Sequence, residues 1–249
     1  MKIYKFQYRS WSGQFERTEY EAEEKITVNG NVDLYAVVFN RTTETDLTED
    51  QLPQVDIYKY KQVIFVGDSR TEFMENVLTG MGESATKNVK FVCSAGKGLD
   101  WFTTTGWAQL YSIVQHDSNS ILSKKTAVIF NFGVNDLSKS ADYAEYYNWI
   151  APQLKSKGCE LYFMSVNPVN RLMLSNAGRA DRSEAAVRSF NQYMKANLSS
   201  AYTYIDMYSY LKSTGYSFAS DHYGTGTVDD GLHYTTRTYK RIFAKCMDS

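Results

Sequence analysis

Four short segments of this chain carry residue types suited to acyl transfer. They are Gly67-Asp68-Ser69, Ser94-Ala95-Gly96-Lys97-Gly98, Gly133-Val134-Asn135-Asp136 and Asp230-Gly231-Leu232-His233. A serine hydroxyl is a poor nucleophile at its own pKa and needs a base within hydrogen-bond reach. Ser69 is the candidate nucleophile. Of the three histidines, His233 alone has a carboxylate three residues upstream in a loop that could orient it. His233 is therefore the candidate base, and Asp230 the partner that would hold its tautomer and stabilise the imidazolium. An ester carbonyl under attack becomes an oxyanion and needs donors. The backbone N–H groups of Ser69 and Gly96 and the side-chain amide of Asn135 are the three candidates. Losing one such donor typically costs about 100- to 1000-fold in rate.

These residues need elements that bring them together. Val63-Ile64-Phe65-Val66 is an apolar run that suits a strand buried on both faces. Behind Gly67-Asp68-Ser69 an amphipathic segment places Phe73, Met74, Val77 and Leu78 on one side, with Gly80 as its stop. The reading is strand, tight turn, helix, with the serine hydroxyl at the helix start, where negative charge is favoured. Further strands are expected at Val89–Cys93, Ala127–Phe132, Leu161–Val166 and Tyr202–Met207. Helices are expected at Ala141–Lys157, kinked at Pro152, at Ser183–Leu198 and at Tyr234–Met247. Five apolar strands alternating with helices imply a parallel sheet covered on both faces, which binds ligands beyond the carboxyl ends of its strands. All four segments then fall on one rim.

The ordered set Gly67-Asp68-Ser69, Gly96, Gly133-x-Asn135-Asp136 and Asp230-x-x-His233 resembles the SGNH (GDSL-like) hydrolases over roughly residues 60 to 249. The resemblance implies a flavodoxin-like three-layer α/β/α sandwich around a five-stranded parallel sheet. It implies Ser-His-Asp chemistry without metal or cofactor, with Ser69 as nucleophile, His233 as base and Asp230 as its partner. Ser69, Gly96 and Asn135 would form the oxyanion hole. Members are esterases and lipases, many of which deacetylate carbohydrates. The expected function is hydrolysis of short-chain, acetyl-type esters of a carbohydrate or glycan. A lipid esterase or thioesterase is the alternative, and a non-catalytic glycan-binding module a further one. Arg70 departs from the family pattern, which has leucine there. It could face the rim and favour an anionic or polyhydroxyl substrate, or pair with a nearby Asp or Glu; the pairing is the preferred reading.

Residues 1–58 differ from the rest and read as a small β-rich amino-terminal appendage to a hydrolase domain at 59–249. Ile3, Tyr4, Phe6 and Tyr8 suggest a strand, and Asn29-Gly30-Asn31 suggests a hairpin turn between 25–28 and 32–39. Thr42 to Gln54 is polar and reads as a linker or surface loop. At a formal net charge of −1 the 249-residue chain has no electrostatic footprint for nucleic acid. No apolar run reaches bilayer length, so the expected partner is a small-molecule or glycan ester. The amino terminus lacks the apolar core of a signal peptide, so the expectation is a cytoplasmic protein or one secreted after loss of a leader. Cys93, Cys159 and Cys246 have no paired spacing and read as small core hydrophobes. His116 and His222 read as solvated or locally bonded, Asp68 and Asp136 as structural, and Asp229 as a weaker substitute for Asp230. Trp101, Phe102 and Trp107 either wall an acyl pocket, stack on a sugar or pack.

Overall fold

The computed structural model describes residues 3–8, 15–20, 34–35, 52–56, 59–117, 124–170, 174, 182–220 and 229–249. It divides into two compact units, one of Met1–Glu44 with Ser213–Gly215 and one of Thr45–Lys212 with Tyr216–Ser249. In the smaller unit, β1 (Ile3–Tyr8) pairs antiparallel with both β2 (Phe15–Tyr20) and β3 (Leu34–Tyr35), giving the order β2-β1-β3. The turn expected at Asn29-Gly30-Asn31 lies outside the described residues.

The larger unit is built on five parallel strands: β4 (Tyr60–Gly67), β5 (Val89–Cys93), β6 (Lys125–Asn131), β7 (Cys159–Met164) and β8 (Tyr202–Ile205). Their order is β5-β4-β6-β7-β8, the doubly wound flavodoxin-like arrangement. Side chains alternate across a strand, so each central strand lines two cores at once. Ile64, Val66, Val128, Phe130, Leu161 and Phe163 enter one core. Val63, Phe65, Ala127, Ile129, Tyr162 and Met164 enter the other. This is why the strands read as unbroken apolar runs.

The first core is covered by α2 (Trp107–Asp117), α3 (Ser140–Ser156) and α4 (Glu184–Asn197). The second is covered by α1 (Ser69–Thr79), α5 (Met207–Thr214) and α6 (Thr236–Met247). The stripe Tyr143, Tyr147, Ile150 and Leu154 is fully buried, and α3 continues through Pro152 to Ser156. Ser183 caps α4 by accepting from the Ala186 N–H at 3.1 Å. Leu52 and Val55, which the sequence places in a polar linker and the appendage, are buried in the second core. Among the described residues, no helix is long and apolar enough to cross a membrane.

Two sequence expectations need correction. The segment Asp230–His233 is not a loop: it lies within β10 (Asp229–Tyr234), antiparallel to β9 (Phe218–Ser220). Between the paired residues Asp229↔Ser220 and Tyr234↔Phe218 the register shifts, so β10 bulges. Tyr234 therefore ends a strand rather than opening the last helix, which starts at Thr236 behind the cap Thr235.

Candidate active site

The end of β4 sets the turn that carries the candidate nucleophile. A Cβ on Gly67 would run into the Thr71 side chain and come within 2.8 Å of the Asn131 carbonyl, so only glycine fits. Asp68 follows as the N-cap of α1, its carboxylate accepting from the Arg70 N–H at 3.0 Å. Burial pushes the Asp68 carboxyl up to about 6, against the opposing pull of that hydrogen bond and of the Arg70 charge. Ser69 is the first residue of the helix and is 5 % exposed.

The bulge of β10 carries the other two groups. Gly231 sits at φ +71°, a left-handed conformation that lets the strand fold Asp230 back under His233. Asp230 Oδ1 accepts from the N–H groups of Leu232 and His233, each at 2.8 Å. Its Oδ2 lies 2.5 Å from His233 Nδ1, and His233 Nε2 lies 2.8 Å from Ser69 Oγ. Burial alone would raise the Asp230 carboxyl, but the side-chain and backbone bonds from His233 and the Leu232 N–H overcome it and hold it down to about 2. A carboxylate on Nδ1 fixes the proton there and leaves Nε2 as the acceptor facing the serine hydroxyl. The imidazole is 2 % exposed and packs at a tilt on Phe73, with ring centroids 4.6 Å apart.

The remaining two segments are tied to one another. Gly96 has φ +69°, and a Cβ there would meet nothing within 4 Å, so its glycine serves backbone shape rather than packing. The Ser94 N–H reaches back to the Gly67 carbonyl at 3.3 Å. Asn135 Nδ2 donates to the Lys97 carbonyl at 2.7 Å. One hydrogen of that amide is thereby used, and a second remains for another acceptor. Asp136 accepts from the Leu99 N–H at 2.9 Å and from the Tyr143 hydroxyl at 2.8 Å, and burial raises its carboxyl above the ordinary range. Asn135 and Asp136 thus brace the carboxyl-terminal side of the Gly96 loop, and the Ser94–Gly67 bond ties its other end.

Three further sequence readings can be compared with the structure. Arg70 is buried rather than facing the rim, and among the described residues its guanidinium pairs with no carboxylate: its three nitrogens donate to backbone carbonyls. Phe102 is fully buried core, while Trp101 and Trp107 are half-buried and pack against Phe132 and Tyr111. Cys159 and Cys246 are buried, Cys93 is half-buried, and all three are free thiols. His222 and the His116 side chain lie outside the described residues, as does the Asp229 side chain. Nothing in the residue pattern pointed to Asn167, Pro168 and Asn170, which contact this site through their backbones.

The GDSL-like lipase/acylhydrolase family model matches residues 63–246, a span that contains all four segments. The chain belongs to that family. A GDSL-like acylhydrolase is thus a hydrolase of acyl esters by family, and its fold agrees. A Bacteroides fragilis structure described as an acylhydrolase shares 16% identity, covering 80% of this chain and 92% of that one, at a TM-score of 0.52. An SGNH hydrolase structure from Slackia heliotrinireducens follows at 13% identity, 77% and 100% coverage and a TM-score of 0.49. An acetyl xylan esterase shows 12% identity, 75% and 98% coverage and a TM-score of 0.48. At such identities the first likeness concerns the fold alone. No curated protein sequence matches this chain.

Proposed function

We propose that this acylhydrolase is a serine esterase that removes short acyl groups, acetyl foremost, from hydroxyls of a carbohydrate. The observation that carries the reading is the continuous chain Ser69 Oγ–His233 Nε2 at 2.8 Å and His233 Nδ1–Asp230 Oδ2 at 2.5 Å. Ser69 Oγ adds to the ester carbonyl carbon while Nε2 takes its proton, and the carbonyl π pair moves onto oxygen. The Ser69 and Gly96 N–H groups and the second hydrogen of the Asn135 amide receive that oxyanion. Collapse expels the alcohol, which takes the proton from Nε2. The same nitrogen then deprotonates water, which attacks the acyl-enzyme and releases the carboxylic acid as Ser69 regains its proton.

A surface groove of about 290 Å³ favours a sugar as the alcohol. It is lined by Leu99, Thr103, Asp142, Glu145, Tyr146 and Trp149. Trp149 is 59 % exposed and lies beside Tyr146, with ring centroids 5.6 Å apart. Aromatic faces offer apolar area to the C–H side of a sugar ring, and two carboxylates accept its hydroxyls.

Acetate release from acetylated sugars and a chain-length series of 4-nitrophenyl esters test the reading. Ser69→Ala should lower turnover on the order of 10⁶-fold, and the rate should be greatest at acetate. Trp149→Ala should raise KM for acetylated oligosaccharides about tenfold and leave that for 4-nitrophenyl acetate unchanged. A maximum at octanoate or longer would assign the site to lipid or thioester substrates instead.

A further inference from the structure

We propose that Arg70 is a positioning residue that fixes the His233 main chain relative to Ser69, an inference that rests on the triad reading above. Arg70 is 3 % exposed, and its guanidinium is engaged with the protein's own backbone. Its Nε donates to the Leu232 carbonyl at 3.0 Å, Nη1 to the Asn167 carbonyl at 2.9 Å and Nη2 to the Pro168 carbonyl at 2.9 Å. Among the described residues no carboxylate hydrogen-bonds its guanidinium.

The Leu232 carbonyl and the His233 N–H belong to one peptide plane. Arg70 holds the oxygen of that plane, and Asp230 Oδ1 holds its nitrogen at 2.8 Å. A peptide gripped on both edges has lost its freedom to rotate, and this rotation would swing the imidazole away from Ser69 Oγ. Because Arg70 adjoins Ser69 in the chain, nucleophile and base are referred to the same turn of helix.

The segment after β7 closes the clasp. Asn170 N–H donates to the Gly231 carbonyl at 2.8 Å, and the Tyr234 hydroxyl donates to the Pro168 carbonyl at 2.5 Å. The Tyr234 ring centroid also lies 5.2 Å from the guanidinium carbon. Three carbonyls converging on one planar fork is a task that only guanidinium performs; an ammonium is a point donor and an apolar chain offers nothing.

Steady-state kinetics and fluorophosphonate labelling of Ser69 on Arg70→Met, Arg70→Lys and Tyr234→Phe test this, with folding checked by near-ultraviolet circular dichroism. Arg70→Met should lower kcat about 100-fold with KM within twofold, and the labelling rate should fall in parallel. Arg70→Lys should recover part of the loss, and Tyr234→Phe should lower kcat by a smaller factor. If Arg70→Met does not fold, Arg70→Lys and Tyr234→Phe carry the test. Wild-type kcat in the folded Arg70 variants, or a loss confined to KM for anionic esters, would overturn the assignment while leaving an inactive Ser69→Ala, and so the triad, standing. Retained turnover in Ser69→Ala would remove both readings together.

Discussion

Asp68 and Asp230 are both withdrawn from water, yet their carboxyls are driven in opposite directions. Asp68 is pushed up to about 6 because burial outweighs its hydrogen bond, and Asp230 is held down to about 2 because its bonds outweigh burial. The raised group contributes its full stability below the ordinary aspartate value of 3.8 and loses it as pH rises through about 6. At neutral pH the ionised Asp68 then costs about 3 kcal/mol. Asp68→Asn keeps an acceptor at the cap and removes that penalty, so its melting temperature should rise relative to wild type between pH 4 and pH 7. A difference that is flat with pH would refute this. For Asp230 the sign reverses: its contribution is present above 3.8 and is lost as pH falls toward about 2. Asp230→Asn should leave the backbone bonds partly intact but spoil the imidazole tautomer, lowering kcat about 10⁴-fold with KM within a few-fold. Ser69, Asp230 and His233 could be singled out because each falls at a segment boundary and His233 is one of only three histidines. The partners of Arg70 could not, because a backbone carbonyl leaves no mark in a sequence.

The elements were legible to differing degrees for an equally physical reason. β4, β6 and β7 are lined on both faces, so their apolar runs stand out, and the helices show one buried stripe each. β10 has neither signature: Asp229-Asp230-Gly231-Leu232-His233-Tyr234 shows no alternation, because a bulge interrupts the period where the site residues sit. That bulge depends on the left-handed Gly231. Gly231→Ala should cost about 1–2 kcal/mol in stability, read by thermal or urea unfolding, and should lower kcat through the displaced imidazole. The Gly96 loop makes a parallel case. Asn135→Ala removes both a candidate oxyanion donor and the bond to Lys97 O, so kcat should fall about 100- to 1000-fold, measured on 4-nitrophenyl acetate.

On the scale of the molecule, the boundary between the two units falls before Thr45, and Leu52 and Val55 belong to the second core. We infer that a chain begun at residue 59 loses their burial, about 1.5–3 kcal/mol for each side chain. A chain begun at residue 45 keeps it, and comparing the unfolding midpoints of the two checks the point. The polar residues around Leu52 hid this, since two apolar side chains in an acidic stretch do not announce a core contact. The double lining of β4 has a wider consequence. A one-residue insertion ahead of Val63 would exchange Ile64 and Val66 with Val63 and Phe65 between the two layers, so neither hydrophobic face would keep its own complement. Such a slip has no partial remedy, because mending one layer worsens the other. Length changes are therefore forbidden in the middle of the sheet and tolerable at its rim, where new substrate contacts can be added without disturbing the frame beneath.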